Sequence, residues 1–256
     1  MHIAPEIHRD EWLNLDLDDA VSLDWNRAVE IFAERIKYRY LEPADLLIKA
    51  DENCPPIERK FGFSIMAIDC LLIEALQSFR DGLTNTKNKS LEMFKKYLTK
   101  RDGFRDYFDE AQAKNFFYDV RCGILHQAEI MGHTLLWSVG SLKGETADGT
   151  PYINRTKFHE ILKEDFDQYC NELKNPANLK LRKNFRIKMD FIARKVSRTD
   201  KRSAAHPSTS NVINDGCAAL IHPTIRLSHP KRSENGTQCV PYFFYIVYQV
   251  KKGSSP

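Results

Sequence analysis

Arg121 and His126 stand with four residues between them in the stretch from Tyr118 to Glu129. Their types suit phosphodiester chemistry. An imidazole exchanges protons near neutral pH, so a histidine can take a proton from an attacking hydroxyl or give one to a leaving oxygen. Arginine is permanently cationic, and its planar fork suits a phosphate whose negative charge grows in a transition state. RNA supplies its own nucleophile, the ribose 2′-hydroxyl, so the pair needs neither a metal nor a covalent enzyme intermediate. The expected products are a 2′,3′-cyclic phosphate end and a 5′-hydroxyl end. The spacing alone is a weak signal, because a surface arginine and a satisfied histidine fall this far apart by chance in many helical proteins.

On an unbroken helix, positions five apart sit roughly 140° apart around the axis, so the two side chains would not share a face. Gly123, between them, lowers helix propensity by about 1 kcal/mol relative to alanine and marks a kink or a helix start. A second chain supplying the facing half would serve equally well. The supporting residues come from an apolar segment, Phe61 to Phe79, which reads as a buried central helix carrying two acids, Asp69 and Glu74. Burying a carboxylate without a partner costs several kcal/mol. At least one of these acids should meet a base or open onto a cavity, with Arg121 the natural partner; the alternative is that both acids sit on the one solvated edge of the helix. Cys122 adjoins Arg121 and reads as a small packing residue whose thiol the neighbouring charge can activate.

The elements that position these residues are mostly helical. Residues 1–18 read as an irregular lead-in, with Asp18 or Ser22 capping a helix that runs to Tyr40 and is ended by Pro43. Residues 51–60 make a loop. Ser90 caps a short basic helix, and one or two helices follow through Phe116, Phe117, Val120, Ile124 and Leu125, ending near Gly132. A β-hairpin insertion near 134–154 carries Gly140, Gly144 and Gly149 in its loop. Asn154 or Thr156 then caps a helix to Leu173, and a last, basic helix covers about 178–194. Lys95 and Lys96 on the earlier helix, with Lys180, Arg182, Lys183 and Arg186 on the last one, are candidate RNA-backbone contacts, although a basic helix face is more often simply solvated. His133 reads as a helix-end cap and His159 as structural or solvated.

With 256 residues, a net charge of +3, 42% hydrophobic and 29% charged residues, the chain has an ordinary globular composition. That charge is too small by itself to announce a nucleic-acid binder. The six cysteines form neither C-x-x-C pairs nor Cys/His zinc spacings, which reads as reduced thiols, no metal and no cofactor. With no recognisable signal segment, the expectation is a cytoplasmic protein without membrane association. From Ser197 the composition turns to Ser, Thr, Asn, Pro and Lys/Arg. The expectation is therefore a helical domain over 1–196 and a low-order basic and polar tail over 197–256 that ends in the aromatic run Tyr242 to Tyr248.

The string Arg121-Cys122-Gly123-Ile124-Leu125-His126, followed by Gln127-Ala128-Glu129, resembles the Arg-x4-6-His signature of the HEPN (higher eukaryotes and prokaryotes nucleotide-binding) superfamily, over roughly residues 60–135. The resemblance implies an antiparallel helical bundle that homodimerises through the helix bearing Arg121 and His126. It implies a metal-independent endoribonuclease of toxin–antitoxin or phage-defence type, with these two residues catalytic, Glu74 an orienter, and an antitoxin or defence partner. Cys122 stands where active members often carry Asn, Asp or His. Ala128 stands where some toxin members carry a tyrosine that an antitoxin adenylylates. The alternative is a catalytically silent HEPN-like module that binds a nucleotide or a protein; a plain helical interaction protein is a third class.

Overall fold

The structure, a computed structural model, describes residues 2–55 and 58–204, the last ten as backbone only. The N-terminal lead-in is more ordered than its sequence suggests. Strands β1 (His2–Ala4) and β2 (Ile7–His8) pair antiparallel around Glu6, whose φ is 54°, and α1 (Arg9–Leu13) follows. Ile3, Ala4, Ile7 and Trp12 are buried, and the Trp12 indole donates to Asp190 at 2.9 Å. Four apolar residues too irregularly spaced to show a period are enough to seat the segment on the core.

Helix α2 (Asp24–Ile36) buries Trp25, Ala28, Val29, Ile31, Phe32 and Ile36, the i, i+3, i+4 face of an amphipathic helix. Ser22 accepts a hydrogen bond from the Asp24 amide at its start. The helix does not stop before Pro43. It passes through a π-helical turn, Lys37–Leu41, into α3 (Glu42–Glu52), where Pro43 lies in the first turn. That is the one place in a helix where a missing N–H and a fixed φ do no harm.

Helix α4 (Gly62–Arg80) is the centre of the molecule, with Ile65, Met66, Leu72, Ile73 and Leu76 fully enclosed. Among the described residues it alone is long and apolar enough to cross a membrane by length and composition. It packs instead against α3, both π turns and the helices α5 (Ser90–Lys100), α9 (Arg155–Lys174) and α10 (Leu179–Ala204). Ser90 is the first residue of α5 rather than its cap, and it makes no side-chain cap bond. After α6 (Asp102–Arg105), a reciprocal capping box between Asp109 and Gln112 starts α7 (Glu110–Phe116). The chain then passes through a second π turn, Phe117–Cys122, into α8 (Gly123–Gln127).

The β insertion has three strands in the order β3-β5-β4. β4 (Lys143–Glu145) and β5 (Pro151–Asn154) form the hairpin, while β3 (Leu135–Trp137) pairs with β5 in parallel. The Asn154 side chain caps α9 by accepting from the amides of Thr156 and Lys157. Phe32, Phe79, Phe166, Tyr169 and Phe185 meet ring to ring where α2, α4, α9 and α10 converge. The described part is a mostly helical bundle with a small β insertion. α10 continues to Ala204, into the stretch expected as tail. The remainder of that stretch, with its aromatic run, lies outside the described residues.

Candidate functional site

Two features of the chain around Gly123 set the geometry of the Arg121–His126 segment. The first is the π turn. Its i→i+5 pattern adds a residue to the turn and changes the phase of everything after it, and such turns are frequent at functional sites. Arg121 lies in this turn, with its guanidinium over the Phe117 ring at 5.4 Å, whereas His126 lies beyond it in α8. The second is the sharp end of α8. Ala128 takes the left-handed conformation (φ 53°), and the returning backbone passes directly over Gly123. A Cβ there would sit 2.4 Å from the Glu129 carbonyl oxygen. The Met131 amide closes the return by donating to the Asp119 carbonyl at 2.8 Å. Gly123 is therefore needed for close approach, and its helical φ is ordinary.

Arg121 is anchored. Its Nε donates to Glu74 Oε1 at 2.8 Å and its Nη2 lies 2.6 Å from the same oxygen, both side chains being mostly covered. Burial pulls the guanidinium down, but the Glu74 carboxylate outweighs it and the net direction is up. Nη1 approaches the Cys122 sulfur at 4.0 Å. His126 is exposed and makes no hydrogen bond or ion pair among the described residues. Within one chain the fold thus joins Arg121 to Glu74 and Cys122, and leaves His126 apart, facing solvent. Around this segment Leu71, Tyr118, Leu125, Met131, Leu135 and Trp137 are exposed apolar side chains.

Asp69 does not belong with them. It is fully buried, and its partner is His159, whose Nδ1 lies 2.7 Å away while its Nε2 faces Asp45 at 3.4 Å. Burial raises the Asp69 pKa, and His159 only partly offsets this. Asp69 was expected beside Arg121 or on a solvated edge; five residues before Glu74 on a helix it points to a different side. Sequence reading also missed Asp51, which accepts from the Lys60 and Phe61 amides and takes the buried Arg155 guanidinium at 2.5 Å. It missed Asp165 as well, which gathers Arg80 at 3.2 Å and the Tyr97 hydroxyl at 2.5 Å. These ion pairs join sequence-distant helices, so no local spacing announces them.

The basic candidates separate into two groups. Arg182 is buried and structural: it stacks on Trp25 at 4.4 Å and donates to the carbonyls of Ala20, Leu173 and Lys174. That corrects its assignment to RNA, because the donors are consumed by helix-end carbonyls. Arg186 is likewise engaged, with Asp18 at 2.6 Å and the Leu17 carbonyl at 3.0 Å. Lys95 pairs with Glu110, and Lys96 with Asp81. Lys180 and Lys183 are exposed and have no partner among the described residues. Lys96 and Lys180 line one groove of about 460 Å³ together with Lys100, Arg101, Arg80 and Asn178.

No family model, no curated protein and no solved structure matches the chain. The fold and the site therefore stand on their own geometry.

Proposed function

We propose that this protein is a metal-independent endoribonuclease of the HEPN type, working as a homodimer through the segment that carries Arg121 and His126. The observation that carries the reading is the division of labour at this segment: a cation held in place by Glu74, and five positions on an exposed imidazole without a protein partner. An anchored guanidinium is already oriented when a phosphate arrives, which is the condition for electrostatic stabilisation of a transition state. A free imidazole keeps both nitrogens available for proton transfer. In the proposed step, His126 of one copy removes the 2′-hydroxyl proton and the oxygen attacks the adjacent phosphorus. His126 of the second copy gives a proton to the departing 5′-oxygen, and Arg121 meets the charge on the non-bridging oxygens.

Dimerisation is supported by the uncovered face of α4. Ser64, Ala67, Ile68, Leu71 and Ala75 form a partly or fully exposed stripe at i, i+3, i+4 spacing, about 16 Å long, on the helix that holds Glu74. Small and apolar residues at that spacing suit helix-on-helix packing, and the exposed Leu125 and Met131 extend the patch around His126. The groove that joins Lys96, Lys100, Arg101 and Lys180 would carry the RNA backbone. A toxin or defence setting, with its partner, belongs to the same reading.

The competing reading is a silent module that binds RNA or a nucleotide without cutting it. It is favoured by the saturation of Arg121, whose Nε and Nη2 face Glu74 and whose Nη1 faces a thiol instead of a polar helper. One experiment separates the two: single-stranded RNA incubated in EDTA with wild type, His126→Ala and Arg121→Ala. The enzyme reading requires cleavage by wild type to cyclic phosphate ends and its loss in both variants. Cleavage that survives in either variant or needs a divalent ion refutes it, and saturable binding without cleavage selects the silent module.

A further inference from the structure

A second cluster of positive charge borders a pocket that Glu74 also lines. Arg35 near the end of α2 and Arg39 in the first π turn are four positions apart, so they project from one face of the continuous helix. Both guanidinium groups turn to a single acceptor, the backbone carbonyl of Ile3, Arg35 through Nη1 and Arg39 through Nη2 at 3.5 Å. Each guanidinium has about five donors, and only one from each is used. Among the described residues neither arginine has a carboxylate partner. The nearest acid in the lining, Glu74, is already committed to Arg121. The two arginines border a pocket of about 290 Å³ whose wall also includes Tyr40, Ser78, Thr86 and Lys188.

A partly covered and an exposed guanidinium converging on one neutral oxygen leave most of their charge and donors uncompensated by the protein alone. Arg35 registers it: burial, with the charge of Arg39 added, brings its pKa down to about 10. Elsewhere in the molecule a covered arginine is given an acid or several carbonyls, as with Arg80, Arg155 and Arg182. Here the compensating group is external. Its charge must be negative. Its shape must offer several acceptors at once, since two guanidinium groups border the pocket and Tyr40 and Thr86 line its wall. Its size must be that of a small group, since the pocket lies at the lower end of ligand-site volumes, about 300 Å³. A phosphate meets all three conditions, and arginine forks match it in bidentate fashion.

The geometry points to a phosphate-binding pocket formed by Arg35 and Arg39 beside Glu74, taking the phosphate of a nucleotide or of a nucleic-acid strand. This pocket is separate from the nuclease reading and does not depend on it.

The test is isothermal titration of the full chain at constant ionic strength with three probes: inorganic phosphate, adenosine 5′-monophosphate and a 5′-phosphorylated oligoribonucleotide. Glutarate serves as a carboxylate control. Arg35 also holds β1, so the main variant is Arg39→Gln, which is exposed and holds Ile3 only weakly; circular dichroism checks its fold. Lys114→Gln, an exposed lysine on α7 outside both basic pockets, is the control variant. Saturable binding of phosphate, weakened about tenfold or more by Arg39→Gln and unchanged by Lys114→Gln, is the expected result. If Arg39→Gln weakens the mononucleotide and the oligonucleotide equally, the source is a free nucleotide; if it weakens the oligonucleotide more, the source is a strand. No saturable binding by any probe, equal binding to wild type and Arg39→Gln, or equal binding of glutarate overturns the proposal.

Discussion

Removing Glu74 tests whether Arg121 is positioned or merely nearby. The two side chains are 16% and 15% exposed, and the Arg121 Nε and Nη2 both engage one oxygen, at 2.8 and 2.6 Å. Exposed pairs contribute about 0.2–1 kcal/mol, and breaking a fully buried pair costs about 3–5 kcal/mol. A pair this well covered but not sealed lies between, so Glu74→Ala is expected to cost about 2 kcal/mol. With a urea m-value of about 2–3 kcal/mol/M, that lowers the unfolding midpoint by about 0.7–1 M. Glu74→Gln, which keeps an acceptor but loses the charge, is expected to cost about half as much. Arg121→Ala in the Glu74→Ala background adds little, because its partner is already gone, giving a coupling energy of about 1–2 kcal/mol in a double-mutant cycle. Urea unfolding of the four proteins, followed by circular dichroism, measures this. Additivity within about 0.5 kcal/mol would show that the contact orients nothing and would remove Glu74 from the site.

Other expectations follow from the same geometry. Gly123→Ala raises helix propensity by about 1 kcal/mol, yet its Cβ meets the Glu129 carbonyl at 2.4 Å; the clash wins, and the variant is destabilised by about 1–2 kcal/mol in urea unfolding. A stabilised Gly123→Ala would mean that the return of the chain over α8 is wrong. Burial raises the Asp69 pKa above its ordinary value of 3.8, so the protonated form is favoured in the fold. Its contribution is then complete below pH 3.8 and is lost as pH rises through the higher folded value. The stability of wild type minus that of Asp69→Asn, from urea midpoints at a series of pH values, should accordingly fall as pH rises above 3.8. Arg182→Gln strands the Leu173 and Lys174 carbonyls at the end of α9 and the Ala20 carbonyl, and is expected to cost about 3 kcal/mol in the same assay. Lys180→Gln and Lys183→Gln are expected to leave stability unchanged while each reduces the salt slope of single-stranded RNA binding by about 0.7.

The helices were legible because their apolar residues repeat at helical spacing, as in Phe158, Leu162, Phe166 and Tyr169 of α9, and because Asn154 announces where that helix begins. Two kinds of feature were not legible. The π turns leave no local signature: Pro43 reads as a stop unless one knows that the turn before it feeds a new helix. The parallel pairing of β3 with β5 is hidden by the loop between them, which looks like a plain hairpin tip. At the candidate site, the pairing of Arg121 with Glu74 followed from the cost of burying an acid on an apolar helix. The pairing of Asp69 with His159 did not, because 90 residues separate them and His159 sits on a helix that gives no sign of burying an imidazole. Arg182 misled for a related reason: in sequence, a guanidinium that caps carbonyls looks the same as one that awaits a phosphate.

The π turn at Phe117–Cys122 makes this segment sensitive to length as well as to composition. A point substitution there changes one side chain, whereas inserting one more residue would add a further step of ordinary α-helical winding. Every later residue of α8 would then rotate by about 100° relative to the bundle. Phe116, Phe117 and Val120, upstream in the core, could keep their places, while His126 would swing away from its present position on the surface. Chains related to this one should therefore tolerate exchanges of residue type between Phe117 and Gly123 more readily than they tolerate an added residue there.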